Sequence, residues 1–387
     1  MRRSRQLRAV WLPLALVLGS GCSVLLDPDA LAPAVIAGGG PDGGDAQGCG
    51  DRRADCNGLV SDGCETDLWA DDPANCGRCG TRCDVCSGGT CLTTVAEVAS
   101  LSRVAASESA VFWSNGQSIG AAAVFPGPER YPELATRGPV QHLVARDLRA
   151  FWMTSNGALE TGHAGRGAVT LLKDLVDPGT FDESDGEVSY AIQVRPGDPS
   201  GEVRRCRPDG SFTRCDDLGL VASAVSAPGA VLADGASTWW FRDDGPSPSR
   251  YELSIGAIGQ APQSRSVSVG EPPVGLLRSE GRLYFASGVA LHQVNEGPGS
   301  TIVCADVAPA GRSGRVRALA ASRTRLYWLF EGSDGGPSRV ESMALGAVSC
   351  GARTLHYEGA AVDMAAGGGA VFVADAARQR LLRFEAP

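Results

Sequence analysis

The chain has 387 residues, of which 43% are hydrophobic and 20% charged, and its formal net charge is −9. Residues 1–21 carry four arginines and no acid, so the remainder bears −13, a surface that repels phosphate backbones and argues against nucleic acid as a partner. Lys173 is the only lysine, and this arginine bias belongs to composition, so an isolated Arg is not taken as an anion site.

Arg2, Arg3, Arg5 and Arg8 precede an apolar run from Ala9 to Leu18. A bilayer span needs about 20 such residues, and this run is shorter, so residues 1–21 read as a signal peptide. The run ends in Leu18-Gly19-Ser20-Gly21-Cys22, which resembles the lipobox of bacterial lipoproteins, with Gly19 where that family most often has Leu. The resemblance implies that Cys22 is lipidated and becomes the first residue of an exported, membrane-anchored protein. Ser23 after it, rather than Asp, resembles the sorting signal for the outer membrane of a Gram-negative bacterium. Residues 22–48 contain Gly38-Gly39-Gly40-Pro41-Asp42-Gly43-Gly44 and no aromatic. Such a composition buries too little apolar surface to order itself, and the segment is expected to be a disordered tether.

Residues 49–91 hold eight of the thirteen cysteines: Cys49, Cys56, Cys64, Cys76, Cys79, Cys83, Cys86 and Cys91. Core-sized side chains are nearly absent apart from Leu59, Val60, Leu68, Trp69 and Val85, so crosslinks must substitute for a hydrophobic core. Eight cysteines allow about 105 pairings, among which sequence does not choose. Cys76-x2-Cys79 and Cys83-x2-Cys86 have zinc-ligand spacing within each pair. Only Gly80, Thr81 and Arg82 separate the pairs, where a zinc ribbon needs roughly 15–20 residues, so disulfides are expected. The acids Asp62, Glu65, Asp67, Asp71 and Asp72 supply the hard oxygens that calcium prefers, but without EF-hand spacing they read as a solvated acidic loop. The run around Asn75-Cys76-Gly77, Cys79-Gly80 and Cys83 resembles the cysteine-rich module of the plant stigma-specific protein family. Similar segments occur in exported bacterial lipoproteins, and the resemblance implies no defined chemistry.

From residue 92 to 387 one eleven-residue pattern recurs seven times without a gap. The copies are RVAASESAVFW from Arg103, HLVARDLRAFW from His142, TFDESDGEVSY from Thr180, AVLADGASTWW from Ala230, GLLRSEGRLYF from Gly275, ALAASRTRLYW from Ala318 and DMAAGGGAVFV from Asp363. Each reads as a strand, a polar turn and a second strand ending in aromatics. The tenth position (Phe112, Phe151, Ser189, Trp239, Tyr284, Tyr327, Phe372) recurs after 39, 38, 50, 45, 43 and 45 residues, the period of a propeller blade. More polar third strands (GALETG, GEVRRC, SRYELSI, VALHQV, SRVESMAL, RLLRFE) and variable fourth strands such as AVTLLKD and STIVCAD follow, as a radial stack of four-stranded sheets requires. The third copy departs most, with Asp182, Glu183 and Glu187 at otherwise apolar or neutral positions. The last blade runs out of chain after Arg380–Glu385. Its missing strand is expected from Leu92–Val98, a β-prone segment with no other employment.

Four cysteines lie in the repeats. Cys206 and Cys215 flank the turn Pro208-Asp209-Gly210 and are expected to bridge within one blade; Cys304 and Cys350 are expected to staple blade five to blade six. Gly116-Gln117-Ser118-Ile119-Gly120 matches the nucleophile elbow of α/β-hydrolases, which needs a strand-turn-helix context. Here it follows a propeller strand, so Ser118 starts an ordinary third strand. None of His142, His163, His292 and His356 has a recognisable orienting partner for a triad.

The first column of the repeat places Asp363, Arg103 and His142 on adjacent blades once the ring closes, as a candidate ligand or metal site at the channel mouth. Propeller lactonases of the gluconolactonase type resemble this arrangement. The resemblance implies a divalent metal such as calcium, although Ala230, Gly275 and Ala318 supply no ligands. The reading is therefore all-β: a seven-bladed β-propeller preceded by a small disulfide-rich module and a tether. The expected role is a non-enzymatic one at the cell envelope, with a protein or glycan ligand and a membrane attachment through the N-terminal lipid. No catalytic residue is assigned and no cofactor is required; the alternative is a lactonase-like hydrolase or lyase acting at the channel.

Overall fold

The computed structural model describes residues 49–386 apart from 51, 60, 62, 125–128, 177, 195–199, 227–228, 244–250, 295–299, 348 and 351. The signal peptide, Cys22 and the tether lie outside the described residues, as does Asp62. Every regular element among the described residues is a strand, and no helix there is long and apolar enough to cross a membrane.

The repeat becomes the innermost hairpin of each blade. In all seven copies the third position pairs with the tenth, which is aromatic in six of them: Ala105 with Phe112, Val144 with Phe151, Asp182 with Ser189, Leu232 with Trp239, Leu277 with Tyr284, Ala320 with Tyr327 and Ala365 with Phe372. Constant register follows from constant turn length. Asp185-Gly186, Glu280-Gly281 and Gly368-Gly369 turn in two residues, both with positive φ, as the twist of a two-residue hairpin demands.

Two more strands complete each sheet. Blade one comprises Arg103–Ala106, Ala110–Ser114, Ser118–Ala123 and Arg130–Ala135; blade two Val140–Arg146, Arg149–Thr154, Leu159–His163 and Ala168–Leu172. Blade three comprises Phe181–Ser184, Glu187–Gln193, Ser200–Pro208 and Cys215–Ser226; blade four Val231–Asp234, Ser237–Asp243, Tyr251–Gly256 and Gln263–Val269. Blade five comprises Pro273–Ser279, Arg282–Ser287, Ala290–Val294 and Ser300–Cys304; blade six Gly314–Ala321, Arg325–Gly332, Ser338–Ala344 and Thr354–Gly359. Ser118 opens the third strand of blade one, so the residues that follow it continue as strand to Ala123.

Blade seven has three strands from the end of the chain (Ala361–Gly367, Ala370–Asp375, Arg380–Glu385) and is completed by Thr90–Glu97. Arg380 faces Glu97, Leu381 faces Ala96, Leu382 faces Thr94 and Arg383 faces Thr93, which is the expected closure of the ring. The sheet then goes one strand further. Val85–Ser87 turns back beside Thr90–Glu97, so the last hairpin of the cysteine-rich segment is built into blade seven.

Apolar side chains pack between consecutive blades: Trp152, Trp240, Trp328, Phe112, Phe241, Phe285 and Phe330 are almost wholly enclosed. The third strands do not face solvent, although their sequences are more polar. Both of their faces are covered by neighbouring sheets, and Glu160, Arg205, Ser254, His292, Glu341 and Ser342 are buried. Partners compensate several of them. Glu160 accepts from Trp152 Nε1 at 2.7 Å and from the Arg137 amide at 3.2 Å, and Ser342 Oγ lies 2.7 Å from His356 Nε2. Blade three tolerates its charges in the same way: Arg146 of blade two pairs with Asp182 at 3.6 Å and Glu183 at 2.9 Å.

Among the described residues six disulfides are present: Cys49–Cys64, Cys56–Cys79, Cys76–Cys86, Cys83–Cys91, Cys206–Cys215 and Cys304–Cys350. The last joins the outer strand of blade five to the loop before the outer strand of blade six. It closes 46 residues, and replacing both cysteines by Ser is expected to cost about 4 kcal/mol on a chain-entropy argument. Urea unfolding of the double variant checks this; an unchanged midpoint would count against the staple.

The acids of the module cap its turns. Glu65 Oε1 accepts from the amides of Cys56 (2.9 Å) and Asn57 (3.3 Å), Asp67 from that of Trp69 (2.9 Å), and Asp72 from that of Ala74 (2.9 Å). Asp71 instead reaches Arg378 of blade seven at 3.4 Å.

Candidate functional site

The inner strands carry the polar column that nominated the channel mouth. Asp363, Arg103 and His142 lie on the consecutive blades seven, one and two, each partly accessible. Asp363 Oδ2 accepts from the Val104 amide at 3.0 Å and Oδ1 from the Met364 amide at 3.0 Å. Arg103 Nε donates to the Gln141 carbonyl at 2.7 Å, and another guanidinium nitrogen to the Ser102 carbonyl at 3.0 Å.

This use of polar side chains repeats around the ring. Arg146 Nε donates to the Glu183 carbonyl (2.8 Å), Thr180 Oγ1 to the Gly229 carbonyl (2.8 Å), and Arg317 Nε to the Val362 carbonyl (3.1 Å), while Asp182 Oδ2 accepts from the Ala233 amide (3.0 Å). Each bond crosses from one blade to the next. An ion pair between Arg278 and Asp234 ties blade five to blade four, and the Val316 amide donates to Gly288 of blade five at 2.8 Å. The inner polar residues thus stitch blades together where the strands converge and apolar volume is scarce. Among the described residues no three His, Cys, Asp or Glu side chains form a group that could hold a metal ion.

Desolvation by the surrounding protein outweighs the partial accessibility that these groups keep. Burial pushes the Asp363 carboxyl up to about 6, against the opposing pull of the Val104 amide and Arg103, and raises Asp182 to about 6 against Arg146. Burial, then Arg103, lowers His142 to about 4. For Asp363 the folded value exceeds the unfolded one, so its contribution to stability is complete below about pH 4 and is lost as pH rises through about 6. His142 has the opposite slope, gaining stability from about 4 toward its ordinary value. Asp363→Asn is therefore expected to remove its own share of the falling limb of the pH–stability curve between about 4 and 6, leaving the share of Asp182 and the His142 limb in place. Carboxyl carbon-13 NMR checks the assignment, with two aspartates titrating near 6.

A separate opening lies between blades five and six. A cleft of about 760 Å³ is bounded on one wall by Glu271, Ser287, Gly288, Val289 and Ala290, and on the other by Ser313, Gly314, Arg315, Glu331, Gly332 and Ser333. Its residues come from the connections that lead into inner strands and from those between second and third strands, which share one face of the ring. Ser313 Oγ and Ser333 Oγ meet at 2.7 Å, and the Ser333 amide donates to the Ser313 carbonyl at 2.9 Å. Arg317 donates to both oxygens of Glu331, at 3.2 and 3.0 Å. Sequence reasoning pointed to the channel and missed this cleft. The available signal was three small dipeptides bordering repeats five and six: Ser287-Gly288, Ser313-Gly314 and Gly332-Ser333.

No protein family matches the chain by sequence, and no curated protein does either. Solved structures match by shape. The β-propeller domain of the Trilobed protease from Pyrococcus furiosus superposes with a TM-score of 0.55 at 8% identity, covering 75% of this chain and 96% of that one. Kuenenia stuttgartiensis hydrazine synthase gives 0.55 at 10% identity, covering 75% and 96%, and a chain of the mitotic checkpoint complex gives 0.52 at 12%, covering 76% and 90%. The Pyrococcus domain has an open velcro topology, whereas here Thr90–Glu97 closes the last sheet. At such identities the likeness extends to the fold alone: the chain carries a seven-bladed β-propeller.

Proposed function

We propose that this is an exported, lipid-anchored protein of the cell envelope whose propeller binds a ligand without transforming it. The carrying observation is cysteine usage. Six disulfides consume twelve of the thirteen cysteines, a pattern that belongs to an oxidising compartment, and the thirteenth is Cys22, behind the apolar run and within the lipobox-like sequence. The binding role is supported by an open cleft lined by hydroxyls and backbone and by inner polar residues engaged in holding blades together.

Expression with labelled palmitate tests the anchor. The wild-type protein is expected to take up label and stay with high-salt-washed membranes, while Cys22→Ser takes up none, moves to the soluble fraction and melts at the same temperature. Retention of Cys22→Ser on washed membranes would end the lipoprotein reading. Elemental analysis separates binding from catalysis: a stoichiometric divalent metal in the purified protein would favour a propeller hydrolase instead.

A further inference from the structure

We propose that the cleft between blades five and six binds short peptides by their free ends, taking the protonated amine on Glu271 and the carboxylate on Arg315. This rests on the binding role argued above and supplies its ligand class. Glu271 is exposed, and among the described residues its carboxylate has no hydrogen-bond or ion-pair partner. Its backbone and the base of its side chain are nevertheless held. Ser287 Oγ donates to its carbonyl at 2.9 Å, and its stem lies over Gly288, where an added Cβ would come within 3.3 Å of Glu271 Cγ. Gly288 has φ +57°, a conformation that a side chain would strain.

The facing wall has the opposite charge to spare. Glu331 is already claimed through both oxygens by Arg317, so Arg315, 3.7 Å from the same carboxylate, is beyond hydrogen-bond range. Its side chain is 67% exposed, and the single carboxylate of Glu331, shared with Arg317, leaves one positive charge in excess on this wall. An unpaired anion on one wall and a loosely paired cation on the other match a zwitterion.

The space between the charges matches a peptide. Ser313 and Ser333 offer hydroxyls, and Val289 and Ala290 are small and apolar. No aromatic side chain is among the lining residues, so a sugar ring has nothing to stack on. A volume of about 760 Å³ falls within the range of small-ligand sites, about 300–1,000 Å³.

Isothermal titration of the intact protein with alanine, dialanine and trialanine, followed by the N-acetylated and C-amidated forms of the tightest binder, tests the proposal. At least one member is expected to bind with a Kd below about 1 mM, and blocking either end to weaken it about tenfold or more, as loss of one charge-assisted contact does. Glu271→Gln is expected to bind the free and N-acetylated forms alike, and Arg315→Gln the free and C-amidated forms alike. Both side chains are exposed, so the variants should melt with the wild type. No binding at about 10 mM, or equal binding of free and blocked forms by the wild-type protein, overturns the proposal. If the peptides fail while Cys22→Ser still leaves the membrane, the ligand class falls and the anchored location stands; if Cys22→Ser stays on the membrane, it is the location that falls.

Discussion

Deleting residues 92–98 is expected to abolish cooperative melting of the whole propeller rather than to fray one end. Leu92 is 0% exposed, Val95 7% and Val98 9%, and burial of three aliphatic side chains contributes about 5–9 kcal/mol against a typical total of about 5–15. The same segment supplies the backbone partners of Arg380–Arg383, and its removal would leave an unpaired edge beside blade one. Leu92→Ala is the graded version. It sits in one cluster with Tyr357, Leu382 and Phe384, so truncation is expected to cost about 2–5 kcal/mol. Scanning calorimetry decides the matter: a deletion variant that keeps the wild-type transition would mean that the ring does not need this strand.

The second large effect is expected at Asp375. This carboxylate is fully buried in blade seven and accepts from the Tyr357 hydroxyl at 2.6 Å, the Arg378 amide at 2.9 Å and the Arg378 guanidinium at 2.9 Å. The Tyr357 oxygen in turn accepts from the Ala360 amide at 3.0 Å, and Arg378 reaches Asp71 of the cysteine-rich module at 3.4 Å. One buried group therefore joins blade six, blade seven and the module. Asp375→Ala strands a buried hydroxyl and frees an arginine, and is expected to cost about 3–5 kcal/mol. Tyr357→Phe leaves Asp375 paired with Arg378 and is expected to cost about 1–3 kcal/mol. Guanidinium unfolding of both variants checks the order, and equal losses would show that the network is not centred on the carboxylate.

The inner hairpins were legible in sequence because strand periodicity and turn length leave a local record, and the structure adds their register, the third column against the tenth. Ring closure was legible too, since Leu92–Val98 had no other partner. Other features arise from contacts distant in sequence. The burial of Glu160 and Glu341 depends on neighbouring blades covering both faces of the third strand, and a polar strand at a sheet's edge has the same sequence. Asp363 was placed correctly on the blade beside Arg103, yet its bond to the Val104 amide spans 259 residues and has no motif. The cleft escaped notice because its walls, residues 271–290 and 313–333, are built from small residues at blade ends, where neither periodicity nor spacing marks them.

The closing strand also sets an order of events during synthesis. Thr93 leaves the ribosome before Arg383, 290 residues later, against which it will pair. For that interval the future seam must persist without its partner, and contacts so distant in sequence form slowly. The hairpin of Val85–Ser87 and Thr90–Glu97 needs only local chain, and Cys83–Cys91 closes a loop of only 8 residues. Oxidation can therefore convert the first-made strand into a preshaped, half-paired template on which the last-made strand docks, so that the crosslinked module acts as a clasp set before the necklace is strung.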